Sequence, residues 1–170
     1  LMPAGAKYPD MESQFAAGKT ALMINGPWAW DNVKKAKIDF AVAPVPAVVP
    51  GLPSKPFVGV LGCMITAPSK LKDIGREFIE NHLLKIDSLK TISADVALGT
   101  PANKAYFAEL SSDPNIAATM ANARAGEPIP NIPEMGRVWP AVDAALEAIT
   151  QGRQSPKEAL DGAAARVLTK

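Results

Sequence analysis

The 170 residues hold a single cysteine, Cys63, and a single histidine, His82. One cysteine leaves no internal disulfide to form. One cysteine and one histidine cannot assemble the tetrahedral ligand shell of a zinc site. No serine or cysteine lies in a GxSxG-type nucleophile pattern. The glycines at 59 and 62, or at 152 and 162, do not make a phosphate-binding loop. Acidic residues are scattered over expected helix surfaces, and no pair stands out as a glycosidase acid and base. Charge of one sign is also missing. Eighteen basic against seventeen acidic residues give a net charge of +1, so neither nucleic acid nor an anionic membrane is expected as the main partner. The densest basic stretch, Lys34-Lys35-Ala36-Lys37, reads as a solvated helix end favoured by the helix dipole. No apolar run approaches the length of a membrane span. Leu1-Met2-Pro3-Ala4-Gly5 has neither the charged start nor the apolar run of a signal peptide, which fits a cytosolic protein or a fragment. Catalysis and cofactor binding are therefore not expected from the residues. Cys63, inside the apolar run Val58–Ile65, is expected to be a small buried core residue. His82 is expected on the surface of a helix or half-buried there.

What the chain does hold is proline, sixteen residues of it, and an apolar half. The length suits one domain or pieces of two. Met11 and Phe15, between Asp10 and Gly18, suggest a short capped helix. Compact apolar runs at 20–24, 38–43 and 57–66 predict three strands, the last covered on both faces. Gly26-Pro27 predicts a helix start. Residues 44–56 carry too many prolines for a regular element. Ser69 is expected to cap a helix reaching about residue 84, with Leu71, Ile74, Phe78 and Leu83 on its buried stripe. Shorter helices are expected from about 87, over 103–110, and from Asp113-Pro114 to a stop at Gly126. After a second proline-rich loop, 127–133, a helix over 135–150 presents Val138, Val142, Leu146 and Ile149. Ser155-Pro156-Lys157-Glu158 is a capping box and the clearest helix start in the chain; Leu160, Val167 and Leu168 form the apolar face of that last helix. The sum is α/β, helix-rich, with too few strands for a self-sufficient sheet.

The tryptophans say more than the charged residues. Trp28 and Trp139 both fall near loop-to-helix junctions, where an indole can face a cleft. The apolar faces and polar edges of sugar rings suit stacking on such a surface. Taken alone, a packed tryptophan is the commoner use. Trp30 is about 200° around a helix from Trp28, so the two cannot share a face.

The run from Phe15 to Trp30, ending Asn25-Gly26-Pro27-Trp28-Ala29-Trp30, is similar to the NGPWAW segment of the maltose/maltodextrin-binding proteins. Pro53-Ser54-Lys55-Pro56-Phe57-Val58-Gly59-Val60-Leu61 resembles their interlobe crossover. Ile116–Met120, Pro130-Asn131-Ile132-Pro133 and Gly152-Arg153-Gln154 continue the likeness, in order and nearly without gaps. The resemblance implies the carboxy-terminal part of a two-lobed periplasmic solute-binding protein of an ABC importer, with a partial type II periplasmic-binding-protein fold. Residues 1–57 and 112–170 would belong to the second lobe and 58–111 to the first. Trp28 and Trp139 match sugar-stacking tryptophans. Ile129 stands where a methionine is usual and Pro140 where a tyrosine is usual, so the maltodextrin subsite is altered and another glucoside, such as trehalose, stays open. The implied partners are an oligosaccharide and the permease subunits, with no cofactor, metal or nucleic acid. Uncovered strand edges predict a homo-oligomer by element exchange. A stand-alone helical interaction module is the other reading.

Overall fold

The computed structural model describes residues 5–169. In chain order the helices are α1 (Tyr8–Ala16), α2 (Trp30–Lys35), α3 (Lys72–Phe78), α4 (Ile86–Asp95), α5 (Lys104–Leu110), α6 (Pro114–Ala125), α7 (Met135–Thr150) and α8 (Pro156–Leu168). A 3-10 turn, Pro27–Ala29, leads into α2, and a π turn, Ile79–Leu83, extends α3. Among the described residues only two short strands form, β1 (Phe57–Val58) and β2 (Glu127–Pro128), paired in parallel. The helix-rich, strand-poor α/β character expected of a partial solute-binding fold is what the structure shows. The chain divides into two compact units, residues 1–11 with 129–170, and residues 12–128.

In the first unit, α7 and α8 form an antiparallel-type hairpin joined by residues 151–155, with Gly152 in the left-handed region at φ +69°. Ser155 builds the expected capping box. Its hydroxyl accepts from the Glu158 backbone N–H, and the Glu158 carboxylate accepts from the Ser155 backbone N–H. Those two bonds satisfy two of the donors that a helix start leaves open. The Glu158 carboxyl is held below the usual carboxylate range by the Ser155 hydroxyl first and the Ser155 N–H second. The seam is not the one the larger side chains suggest. Ala141, Ala145, Ala159 and Ala163 are its buried residues, flanked by Ile149 and Val167, while Leu146 and Leu160 stay half-exposed. Alanines let two helix backbones approach closely, so the small residues take the contact line. At the open ends of the hairpin, a guanidinium nitrogen of Arg137 donates to the Thr169 carbonyl.

In the second unit, Ala29, Val33, Tyr106 and Ile116 are the buried apolar residues. Helix α2 ends in a Schellman-type cap. Lys37 takes φ 58°, and the N–H groups of Lys37 and Ile38 donate to the carbonyls of Lys34 and Val33; these bonds satisfy two of the last helical carbonyls. Asp113 caps α6 by accepting from the N–H groups of Asn115 and Ile116. Asn103 does the same for α5.

Three expectations are overturned. Residues 20–24 and 38–43 form no strand, and the 57–66 strand is regular only over β1. A strand needs a neighbour for its backbone groups, and none of the described residues supplies one. The α3 stripe is open rather than buried, with Leu71, Ile74 and Phe78 exposed. Cys63 is exposed as well. It sits on the same uncovered segment, so its position follows that of its neighbours. His82 lies exposed on the π turn, stacked on Phe78 at a ring separation of 6.3 Å.

Candidate functional site

Trp28 sits on the 3-10 turn that precedes α2, in the second unit. Its indole folds back over Gly26. A Cβ built on Gly26 would lie 2.2 Å from the ring, so only glycine leaves room for this placement. The Asn25 side chain accepts from the Gly26 N–H at 2.8 Å. Pro27 packs against Gly99, where an added Cβ would meet the proline ring at 2.7 Å. Gly99 also lies at φ +70°, so it is required twice over, by space and by backbone conformation. Behind the turn, the Asp31 carboxylate accepts from the Ala97 N–H at 3.0 Å. Each bond adds a further constraint to a turn of three residues. The result is an indole that is 68% exposed on a turn held from both sides. Trp30 faces the other way and is half-buried, its ring 6.5 Å from that of Phe40.

Trp139 and Pro140 lie in α7, and Ile129 directly follows β2, all in the first unit. Trp139 is 49% exposed and Ile129 somewhat less. Pro140 is inside the helix. It has no N–H, so the Gly136 carbonyl has no helical donor at that step. A tyrosine at this position would keep the donor and add a ring, and this chain has neither. Trp139 and Pro140 are consecutive on one helix, so they point about 100° apart.

The residues that hold the surrounding backbone were not evident from the sequence. Asn115 and Asn122 lie two turns apart on α6. Their side-chain oxygens accept from the N–H groups of Val42 and Val45 at 2.9 Å each, and the Asn122 amide donates to the Ala43 carbonyl. This pair grips residues 42–45 as a neighbouring strand would. The i, i+7 asparagine spacing was the available signal. A second junction lies at β1 and β2. Glu127 N–H donates to the Pro56 carbonyl at 3.0 Å, and Lys55 pairs with the Glu127 carboxylate at 2.6 Å. The hydrogen bond to Lys55 and its charge hold the Glu127 carboxyl below the usual range, and the same partner raises Lys55. Gly126 permits the approach, because a Cβ there would lie 2.3 Å from the Pro56 oxygen.

No group of three or more His, Cys, Asp or Glu residues that could hold a metal ion occurs among the described residues. No described helix is long and apolar enough to cross a membrane. The geometry is that of one exposed indole on a braced turn, Trp28, and a half-exposed one on a helix, Trp139, surfaces suited to stacking on a flat ligand face.

A family profile for bacterial extracellular solute-binding proteins matches residues 2–119, well over half of the chain. The chain belongs to that family. Among characterised relatives, it is 31% identical to the galactooligosaccharide-binding protein of Bacillus subtilis, over 91% of this chain and 37% of that protein. It is 28% identical to the maltotriose-binding protein of Pyrococcus abyssi, over 93% of this chain and 35% of that protein. It is 30% identical to a maltooligosaccharide ABC transporter solute-binding lipoprotein of Streptococcus pneumoniae, over 90% and 36%. The chain thus spans little more than a third of the length of these relatives.

Proposed function

We propose that this chain contributes one side of an oligosaccharide-binding cleft in the solute-binding protein of an ABC importer, acts in the periplasm beside the permease subunits, and catalyses nothing. Residues 1–57 and 112–170 belong to one lobe in this reading and 58–111 to the other. The observation that carries it is Trp28: a large apolar ring, mostly exposed, on a turn braced by Gly26, Gly99 and Asp31. Trp139 supplies a second stacking face, with Ile129 and Pro140 shaping the subsite. The names of the relatives support an oligosaccharide as ligand. A maltodextrin-type sugar is the reading that the likeness favours, and the changes at Ile129 and Pro140 favour a shifted preference at one end. Open strand edges also let copies of the chain associate by exchanging elements; a monomer by light scattering at millimolar concentration would count against that.

Stacking area without opposing hydrogen-bond partners gives little net affinity, because the cost of association is not met. Isothermal titration of the 170-residue chain with maltotriose is therefore expected to show nothing tighter than about 1 mM, roughly −4 kcal/mol. The decisive test joins residues 1–170 to the unmatched part of the Bacillus subtilis galactooligosaccharide-binding protein. That chimera is expected to bind malto- or galacto-oligosaccharide, and Trp28→Ala is expected to weaken binding by more than about 10-fold. Unchanged affinity in the folded Trp28→Ala chimera sinks the assignment of Trp28.

A further inference from the structure

The turn that carries Trp28 takes its support from a segment far along the chain. Residues 96–103 link α4 to α5, and both ends of the link are fixed. The Val96 N–H donates to the Ile92 carbonyl at 2.8 Å, and the Asn103 side chain caps α5. Lys90 of α4 and Glu109 of α5 pair at 2.6 Å across the two flanking helices. The Ala97 N–H lies past the end of α4, and a part-buried amide needs an acceptor. The Asp31 carboxylate, 66 positions earlier, supplies one at 3.0 Å. An acceptor that carries charge makes the stronger kind of hydrogen bond. Two residues on, Gly99 is buried against the Pro27 ring. Pro27 and Asp31 bracket Trp28, one residue before it and three after. Segment 96–100 therefore meets the Trp28 turn on both sides of the indole.

We propose that Asp31 and Gly99 are positioning residues for the oligosaccharide site, which clamp the Trp28 indole in its stacking pose without touching the sugar. This role rests on the reading of Trp28 as a stacking face. An aromatic platform gives its full affinity only when its pose is fixed beforehand, because ordering a side chain on binding subtracts from the contact energy. The turn does little of this by itself. It is three residues long and has no side-chain cap at Gly26, and a single 3-10 turn closes few hydrogen bonds of its own. The clamp supplies the missing constraint from a distance, through one charged hydrogen bond and one glycine–proline contact. In the lobe assignment proposed above, Trp28 lies in one lobe and residues 96–100 in the other. The clamp is then a contact across the lobe boundary, and the pose of the platform depends on how the two lobes meet.

A double-mutant cycle in the chimera described above tests the clamp, with maltotriose and galactooligosaccharide titrations as the readout. Asp31→Ala is expected to weaken binding by at least ~5-fold. Asp31→Asn keeps an oxygen acceptor and is expected to stay within ~2-fold of the parent. Ala97→Pro removes the donor from the other side. Val96 before it is already extended, with ψ 127°, as a residue preceding proline prefers. Ala97→Pro is expected to match Asp31→Ala, and the two together to lose no more than either alone. In the Trp28→Ala background, Asp31→Ala is expected to change affinity by less than ~2-fold, because no ring is left to position. Parental affinity in Asp31→Ala overturns the role, and so does full additivity with Trp28→Ala, which is what a merely structural aspartate would give. A second measurement needs neither sugar nor chimera. In the 170-residue chain, Trp30→Phe with Trp139→Phe leaves Trp28 as the one indole. Its nanosecond anisotropy is expected to decay further in Asp31→Ala and not in Asp31→Asn; equal decay in all three overturns the clamp. A Trp28→Ala chimera of unchanged affinity refutes the stacking reading instead, and the anisotropy still decides whether the clamp holds the ring.

Discussion

The α7–α8 hairpin and the extended segment 59–65 are both strongly apolar, and they end up in opposite environments. Ala145 and Ala159 are each 1% exposed, and Leu61 is almost wholly in water. The difference lies in where each finds its partner. The hairpin closes on itself through five connecting residues, 151–155, so its two apolar faces are presented to each other by local geometry and at little loop-closure cost. A strand has no such option. Its hydrogen bonds and its side-chain contacts are both made with other segments, and hydrophobicity cannot supply a missing neighbour.

That contrast can be broken from either side. The largest effect is expected at the hairpin seam. Ala145→Leu forces extra methylenes between two close helices and should destabilise the chain by about 1–3 kcal/mol in urea unfolding; no loss would mean that the seam is loosely packed. Next comes the start of α8. Ser155→Ala removes the cap and should cost about 1 kcal/mol, read as a lower urea midpoint with an unchanged slope. The same cap sets an acid limit. Glu158 and Glu127 are both held below the usual carboxylate range by their partners, so their contribution is full above the unfolded carboxylate pKa and is lost as pH falls through the lowered, folded one. Thermal melts below pH 4 should drop in the parent, and the drop should shrink in Ser155→Ala, which lacks the first cause of the Glu158 shift. The smallest effect is expected at Leu61→Ser. An exposed side chain contributes little, and the unfolding free energy should stay within about 0.5 kcal/mol of the parent. A larger loss would show that residues 59–65 already pack within this chain.

Legibility followed the same division. The Ser155 box, the Asp113-Pro114 start and the stop at Gly126 involve groups within a few residues of one another, and such contacts are written in the chain order. The identity of the seam was harder. Val138, Val142 and Leu146 share a face with Ala141, Ala145 and Ala148 by helical spacing, and only the approach distance of α8 selects the alanines. Pro140 sits inside α7 despite its missing N–H, which local propensity disfavours and the packed hairpin overrides. The Asn115 and Asn122 grip on residues 42–45 spans more than seventy positions; the i, i+7 spacing puts the two asparagines on one helix face but does not say which segment they hold.

For the candidate site, the NGPWAW segment led to Trp28 before any geometry was known, and it placed Trp28 and Trp30 on opposite faces. What the sequence could not supply was the reason the ring is held outward. Gly99 lies far along the chain from Pro27, and the two meet only in the fold.

By itself, then, the amino-acid order determined the starts of α6 and α8, the family likeness and the apolar character of the would-be strands, because each rests on residues close in sequence; the expected Ser69 cap did not form, and α3 begins at Lys72. The tertiary structure alone decided which apolar faces are covered, that Cys63 stands in solvent, and that a glycine beneath the indole and another behind the proline hold Trp28 exposed. Burial is a property of pairs of segments, and a pair distant in sequence has no local signature.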